Sequence, residues 1–173
     1  MKYCPFCCSP LKGSGNHQKT CTKCAFTDYN NPRPTASIII QRNNKILMAK
    51  RAWHPFRGYW DLIGGFVDYY ETPEEAVVRE VKEETGLIIK NPKLVRVAKG
   101  KYTNYDTKQR LSIIDHQFIV KSFKGDPVAS DDVALIKWFS KKDIPLIDKI
   151  AFENIRSLIK LYKTGSLTED SKV

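Results

Sequence analysis

The stretch GFVDYYETPEEAVVREVKEETGL, residues 65–87, holds Glu71, Glu74, Glu75, Glu80, Glu83 and Glu84 in a chain whose formal net charge is +10. Carboxylates at i, i+3 and i+4 of a helix are neighbours, and each like-charge pair costs a few tenths of a kcal/mol even in water. A hard divalent cation such as Mg²⁺ or Mn²⁺ reverses that sign. It prefers carboxylate and carbonyl oxygens, keeps several waters and bridges to substrate phosphates. The structural alternative is a solvated acidic helix face.

A second cluster lies upstream. Cys4-Pro-Phe-Cys7 and Cys21-Thr-Lys-Cys24 are two CxxC pairs, and all five cysteines fall within the first 24 residues. Each CxxC turn can aim two thiolates at one tetrahedral ion, so Cys4, Cys7, Cys21 and Cys24 read as a structural Zn²⁺ site. Two disulfides are the alternative, which the absence of a hydrophobic signal core in MKYCPFCC disfavours. Cys8 reads as a spare thiol and His17 as a loop residue. A segment this short cannot bury a core, so the metal would supply its fold.

The acidic stretch carries its own helix signals. Thr72 suits an N-cap, Pro73 the first helical position, Glu75 completes a capping box, and Gly86 supplies a left-handed stop. Val77, Val78 and Val81 fall on one side, with Glu80, Glu83 and Glu84 on the other. Around this helix, ASIIIQRNNKILMAKR reads as two strands about an Asn43-Asn44 turn, and YWDLIGG as a short strand ending in glycines. Further strands are expected at 94–99, 111–120 and 135–139. Ala151, Ile155, Leu158, Ile159 and Tyr162 recur at helical spacing near the end. Length and 42% apolar content fit one full-sized domain with a small appendage. The positive charge favours anionic partners or simple solubility. No apolar run is long enough to span a membrane, so a soluble, cytoplasmic protein is expected.

The spacing within residues 65–87 carries a resemblance. Gly65, Glu71, Arg79-Glu80-Val81, Glu83-Glu84 and Gly86-Leu87 match the Nudix box at its defining positions, preceded by RAWHPFRGYWDLIGG with its tryptophan and double glycine. Leaving out the apolar positions Val81 and Leu87, the seven specified positions match by chance at roughly 10⁻⁹ per starting position at average residue usage. Two departures are visible: Ile63 stands where many members have proline, and Tyr70 where many have glycine. Both predict an altered loop shape with the carboxylates intact.

The resemblance implies an α/β fold, a mixed sheet in an α/β/α sandwich, preceded here by a zinc ribbon. The implied organisation is a ribbon over 1–30, a Pro-rich linker over 31–34, a hydrolase domain over 35–163 and a flexible tail over 164–173. It also implies hydrolysis of a phosphoanhydride bond in a nucleoside diphosphate linked to another group. Carried onto these positions, Glu80 and Glu84 are the main Mg²⁺ ligands, with Glu83 a further ligand or proton acceptor. The Gly65 carbonyl faces the metal, while Arg79 and Glu71 orient the carboxylates. Members place the base either inside the box or on a later loop, where an acid precedes a tryptophan by six residues. Asp132 stands six before Trp138, with Asp131 beside it as the alternative.

CxxC pairs, an NPRP linker and then the box resemble NADH pyrophosphatases and related nucleotide-sugar hydrolases. The SQPWPFP-like stretch of the NADH-specific group is replaced by GKYTNYDTKQRLS, which favours an ADP-ribose-type or dinucleotide substrate. Tyr102 and Tyr105 could stack on a base or pack in the core. His54 and His116 read as structural or substrate-edge residues. Two rival readings stay open: an RNA cap-removing hydrolase, and a nucleic-acid-binding ribbon with a degenerate hydrolase domain. A nucleotide derivative is the expected partner ahead of RNA, with no membrane partner, and a homodimer is compatible with the sequence.

Overall fold

The computed structural model describes residues 2–13 and 18–167, and the chain divides into two units, Met1–Pro32 and Arg33–Val173. His17 and residues 168–173 of the expected tail lie outside the described residues.

In the first unit, strands β1 (Leu11–Lys12), β2 (Lys19–Cys21) and β3 (Thr27–Asp28) form an antiparallel sheet in that order. Two knuckles flank it. Cys8 N donates to Cys4 O, and Lys23 N and Cys24 N both point at Cys21 Sγ, at 3.4 and 3.5 Å. These short strands were not legible beforehand, because two or three residues carry no periodicity.

The second unit is built on β4 (Arg33–Arg42), β5 (Lys45–Arg51), β6 (Trp60–Asp61), β7 (Ile63–Phe66), β8 (Ile88–Ile89), β9 (Lys93–Thr103), β10 (Arg110–Val120), β11 (Phe123–Lys124) and β12 (Val133–Ser140). Helix α1 spans Pro73–Thr85 and α2 spans Glu153–Thr164. The main sheet runs β12-β5-β4-β10-β9, with β6 paired to β5 and β7 to β4. Among the described strands of this sheet only β10 and β4 run parallel, so the sheet is mixed, as expected.

Asn43 and Asn44 close the β4–β5 hairpin with φ of 49° and 58°, the left-handed pair that a two-residue turn demands. The central run Ile38-Ile39-Ile40 is fully buried, because its residues alternate between two covered faces. Ile38 and Ile40 join Val77 and Val81 of α1, while Ile39 joins Leu158 and Ile159 of α2. Burying such aliphatic side chains contributes about 1.5–3 kcal/mol each.

Several boundaries differ from expectation. β4 begins at Arg33 and so takes in Arg33 and Pro34, assigned above to the linker; Pro34 O accepts from Val67 N. β9 continues to Thr103, carried by its pairing with β10 rather than by its own apolar pattern. Ala151 is buried but precedes α2. Tyr70 has φ 63°, a left-handed conformation that glycine adopts more easily, at the cost of backbone strain. No helix among the described residues is long and apolar enough to cross a membrane.

Candidate active site and cysteine cluster

The N-terminus of α1 forms as its sequence dictates. Thr72 Oγ1 accepts from Glu75 N at 3.2 Å, and Glu75 Oε2 accepts from Thr72 N at 2.8 Å, satisfying donors the helix leaves open. Gly86 stops the helix at φ 70°.

Arg79 organises the acids at the solvent side of the helix. Its Nε and Nη2 donate to Glu71 Oε1 and Oε2 at 2.9 and 3.0 Å, a bidentate fork. Nη1 donates to Glu80 Oε1 and Glu83 Oε2, both at 2.9 Å, and Nη2 also reaches Phe66 O at 3.1 Å. These bonds hold the Glu71 carboxyl below its usual range and raise Arg79 above its own.

Glu84 is different. Set opposite the valines above, it in fact lies only about 20° from Val77 at 3.6 residues per turn, and it is 8% exposed, sharing the buried face with Val77 and Val81. β7 lies over that turn, with Gly64 N pointing at Glu84 Oε2 at 3.4 Å. Burial first, then the charges of Glu80 and Asp61, push the Glu84 carboxyl up to about 9. Burial also raises Glu80, against the pull of Arg79. The placement of all three acids on the side away from the valines is therefore corrected: Glu83 is exposed, Glu80 half-buried, Glu84 buried.

The double glycine makes this approach feasible. Gly64 has φ 147°, and a Cβ there would lie 2.1 Å from Ala36 O on the paired strand. A Cβ on Gly65 would lie 2.2 Å from Glu80 Oε1.

Glu80, Glu84, Gly65 and Asp132 line one pocket of about 280 Å³. Asp132 is placed by two backbone ties. Ser130 N donates to Glu84 O at the end of α1, and Ala52 N to Asp132 O at the end of β5. Asp131, with φ 53°, is not in the lining, and neither is Glu83. Of the two tyrosines, Tyr102 lines the pocket, whereas Tyr105 stacks on His54 with centroids 3.9 Å apart. His116 Nδ1 lies 3.2 Å from Thr35 O, in a structural position.

The far wall was not anticipated. Asp115, 2% exposed, accepts from Thr35 Oγ1, Ser37 Oγ, Gln117 Nε2 and Asn154 Nδ2 at 2.7–3.1 Å. Asp61 pairs with Arg51 at 3.2 Å, and burial raises its carboxyl to about 6 despite that partner. A lone acid within the apolar run LSIIDHQFIV was the available signal, since a strand rarely buries one without partners. Phe66 and Phe152 complete an aromatic rim, Tyr102 contacting both rings.

In the first unit, the Sγ atoms of Cys4, Cys7, Cys21 and Cys24 lie within 4.8 Å of one another, with close pairs at 3.4–3.5 Å. That is far beyond a disulfide bond and close to the roughly 3.8 Å edge of a tetrahedron with Zn–S bonds of about 2.3 Å. Cys8 is exposed and outside the cluster.

The NUDIX domain family model matches residues 31–161, and the chain belongs to that family of hydrolases, which act on pyrophosphate bonds. It is 41% identical over 134 residues to an ADP-ribose pyrophosphatase of Methanocaldococcus jannaschii, covering 78% of this chain and 75% of that one. It is 35% identical over 149 residues to the NAD-capped RNA hydrolase NudC of Salmonella paratyphi C, covering 84% of this chain but only 54% of that relative's length. Among solved structures, a NUDIX hydrolase from Nitrosomonas europaea matches with a TM-score of 0.64 at 26% identity, over 95% of this chain and 91% of that one. A MutT NUDIX hydrolase from Burkholderia pseudomallei gives the same TM-score and identity over 75% of this chain and 97% of that one.

Proposed function

We propose that this chain hydrolyses a nucleoside diphosphate joined to a second group, of ADP-ribose or dinucleotide type, releasing a nucleoside monophosphate. The observation that carries this reading is the convergence of Glu80, Glu84, the Gly65 backbone and Asp132 on one pocket with an aromatic rim. The 41% identity to an ADP-ribose pyrophosphatase supports the substrate class.

The residues fit Mg²⁺ or Mn²⁺. Two carboxylates crowd together at the pocket wall, both raised by burial, and Arg79 pairs with Glu80 but not with Glu84. A hard cation compensates such a pair, and Gly65 leaves its backbone open beside it. When bound there, a divalent cation neutralises charge on the pyrophosphate oxygens and lowers the pKa of water. Glu80 and Glu84 would hold it, with the Gly65 carbonyl contributing and Glu83 as an outer carboxylate. Arg79, clamped by Glu71, fixes the Glu80 carboxylate so that no reorganisation is needed during reaction. Asp132 accepts the proton of the attacking water as the new P–O bond forms and the anhydride P–O bond breaks. Tyr102, Phe66 and Phe152 offer ring faces and edges to the nucleobase or ribose.

The cysteine tetrad holds Zn²⁺ and folds the first unit. The presence of Glu80, Glu84 and Asp132 in one pocket favours this reading over a degenerate hydrolase domain. The decisive experiment supplies ADP-ribose, dinucleotide diphosphates and nucleotide sugars with Mg²⁺ or Mn²⁺ and follows nucleoside monophosphate release. Turnover on none of them would overturn the reading.

A further inference from the structure

A pocket that is to accept a pyrophosphate is lined here by carboxylates: Asp61, Asp68, Glu80, Glu84, Asp115 and Asp132. Among the described residues its lining holds a single cation, Arg51, the last residue of β5. Arg79 pairs with Glu80 but lies outside the lining, and it has nothing left to offer a substrate. A guanidinium carries five N–H donors. Those of Arg79 are all engaged, by Glu71, Glu80, Glu83 and Phe66 O.

Arg51 is anchored with donors to spare. Its Nε donates to Pro55 O at 2.8 Å, its Nη1 to Asp61 Oδ2 at 3.2 Å, and the guanidinium lies over the Phe152 ring, 5.1 Å from the centroid. Nη2 and the second N–H of Nη1 have no protein acceptor among the described residues. Neutralising Asp61 does not account for this arrangement. The other oxygen of Asp61 accepts from Leu62 N at 2.9 Å, so the pair is a single bond and leaves one end of the guanidinium unused. A fork already oriented by its surroundings loses little freedom when it binds an anion. Its location fits that use. Phe152, beneath the guanidinium, stacks on Tyr102 with centroids 6.1 Å apart, so Arg51 stands between the acids and the aromatic rim.

We propose that Arg51 is a substrate-binding residue, donating its remaining N–H groups to the phosphate that adjoins the nucleoside, with Asp61 and the Pro55 carbonyl as its positioning partners. The inference rests on the pyrophosphatase reading above and adds to it a residue outside the acidic helix. It divides the diphosphate between two kinds of positive charge: the guanidinium next to the rim, and the cation site at Glu80 and Glu84.

The test compares AMP with adenosine by titration calorimetry in Mg²⁺, on the parent, on Arg51→Met, and on Arg51→Met combined with Asp61→Asn. The double variant leaves no buried carboxylate without its partner, so it remains informative if the single one fails to fold. Circular dichroism checks both folds, and kcat and KM on ADP-ribose are measured alongside. The expected result is an AMP affinity about 10–100-fold weaker in both variants, with adenosine affinity at the parental value. On ADP-ribose, KM should rise by more than kcat falls, the mark of a lost ground-state contact. If Arg51 serves only to neutralise Asp61, the double variant regains parental AMP affinity, and that result overturns the proposal. Equal losses for AMP and adenosine overturn it too, as does a parent that binds AMP no more tightly than adenosine. If the parent turns over no ADP-ribose, the pyrophosphatase reading fails, while the difference between AMP and adenosine still judges Arg51.

Discussion

Gly65 and Glu80 fit against each other so closely that a Cβ at 65 would lie 2.2 Å from Oε1 and 2.6 Å from Cδ of the glutamate. The carboxylate occupies the space of the missing side chain. Gly65→Ala should therefore displace Glu80 from the pocket, or shift β7 on β4, and lower turnover by about a hundredfold. Fold retention is checked by circular dichroism alongside kcat. An alanine variant with parental turnover would show that Glu80 is not held in its working position by this contact.

Glu84→Gln should lower turnover by at least about a hundredfold, because it removes an anionic ligand at the metal-binding wall. Glu74→Gln is the matched control: Glu74 is exposed in the first turn of α1 and outside the pocket lining, so turnover should stay near parental. Equal losses in the two variants would reduce the acidic cluster to a solvated face.

The same residue sets a pH signature on stability without metal. The Glu84 carboxyl rises from 4.5 to about 9 and Asp61 from 3.8 to about 6, so the folded state holds protons that the unfolded chain releases. The stability these groups contribute is fully present below pH 4 and is lost as pH rises through the folded values. In chelator, the thermal midpoint should fall from pH 4 to pH 9. Glu84→Gln should match its parent near pH 4 and become progressively more stable than it toward pH 9, leaving only the Asp61 decline below about pH 6. Parallel midpoint curves for the two proteins would contradict the burial of Glu84.

Arg79→Lys keeps the charge and loses the fork. An ammonium cannot bridge both oxygens of Glu71 while also reaching Glu80 and Glu83. The apparent Mg²⁺ affinity should weaken by roughly 10–100-fold, with much of kcat recovered at high Mg²⁺. An Mg²⁺ titration of activity that superimposes on the parent's would exclude this orienting role.

One Zn²⁺ per chain is expected in protein purified under reducing conditions without chelator. Cys8→Ser should leave that stoichiometry intact, and Cys24→Ser should abolish it and unfold the first unit, because the ion supplies its fold. Elemental analysis decides the matter, and a Cys8→Ser protein with half the zinc would redraw the ligand set.

The sequence by itself determined the features that depend on local chemistry. Thr72, Pro73, Glu75 and Gly86 bound α1 through capping, Asn43-Asn44 made the hairpin, and the two CxxC pairs brought four thiols together. The acids of the box were identifiable because their spacing is fixed within one helix. The tertiary structure decided which of those acids leave water. Helical periodicity already carries Glu84 to within about 20° of Val77, and β7 covers that turn through the glycines at 64 and 65, so Glu84 is buried while Glu83 stays exposed. It also brought Asp132 rather than Asp131 to the pocket lining, through backbone ties to α1 and β5 that lie far away in sequence. Asp115 and Asn154 belong to the same category: neighbours created by strand pairing and by α2, through contacts that no local pattern encodes.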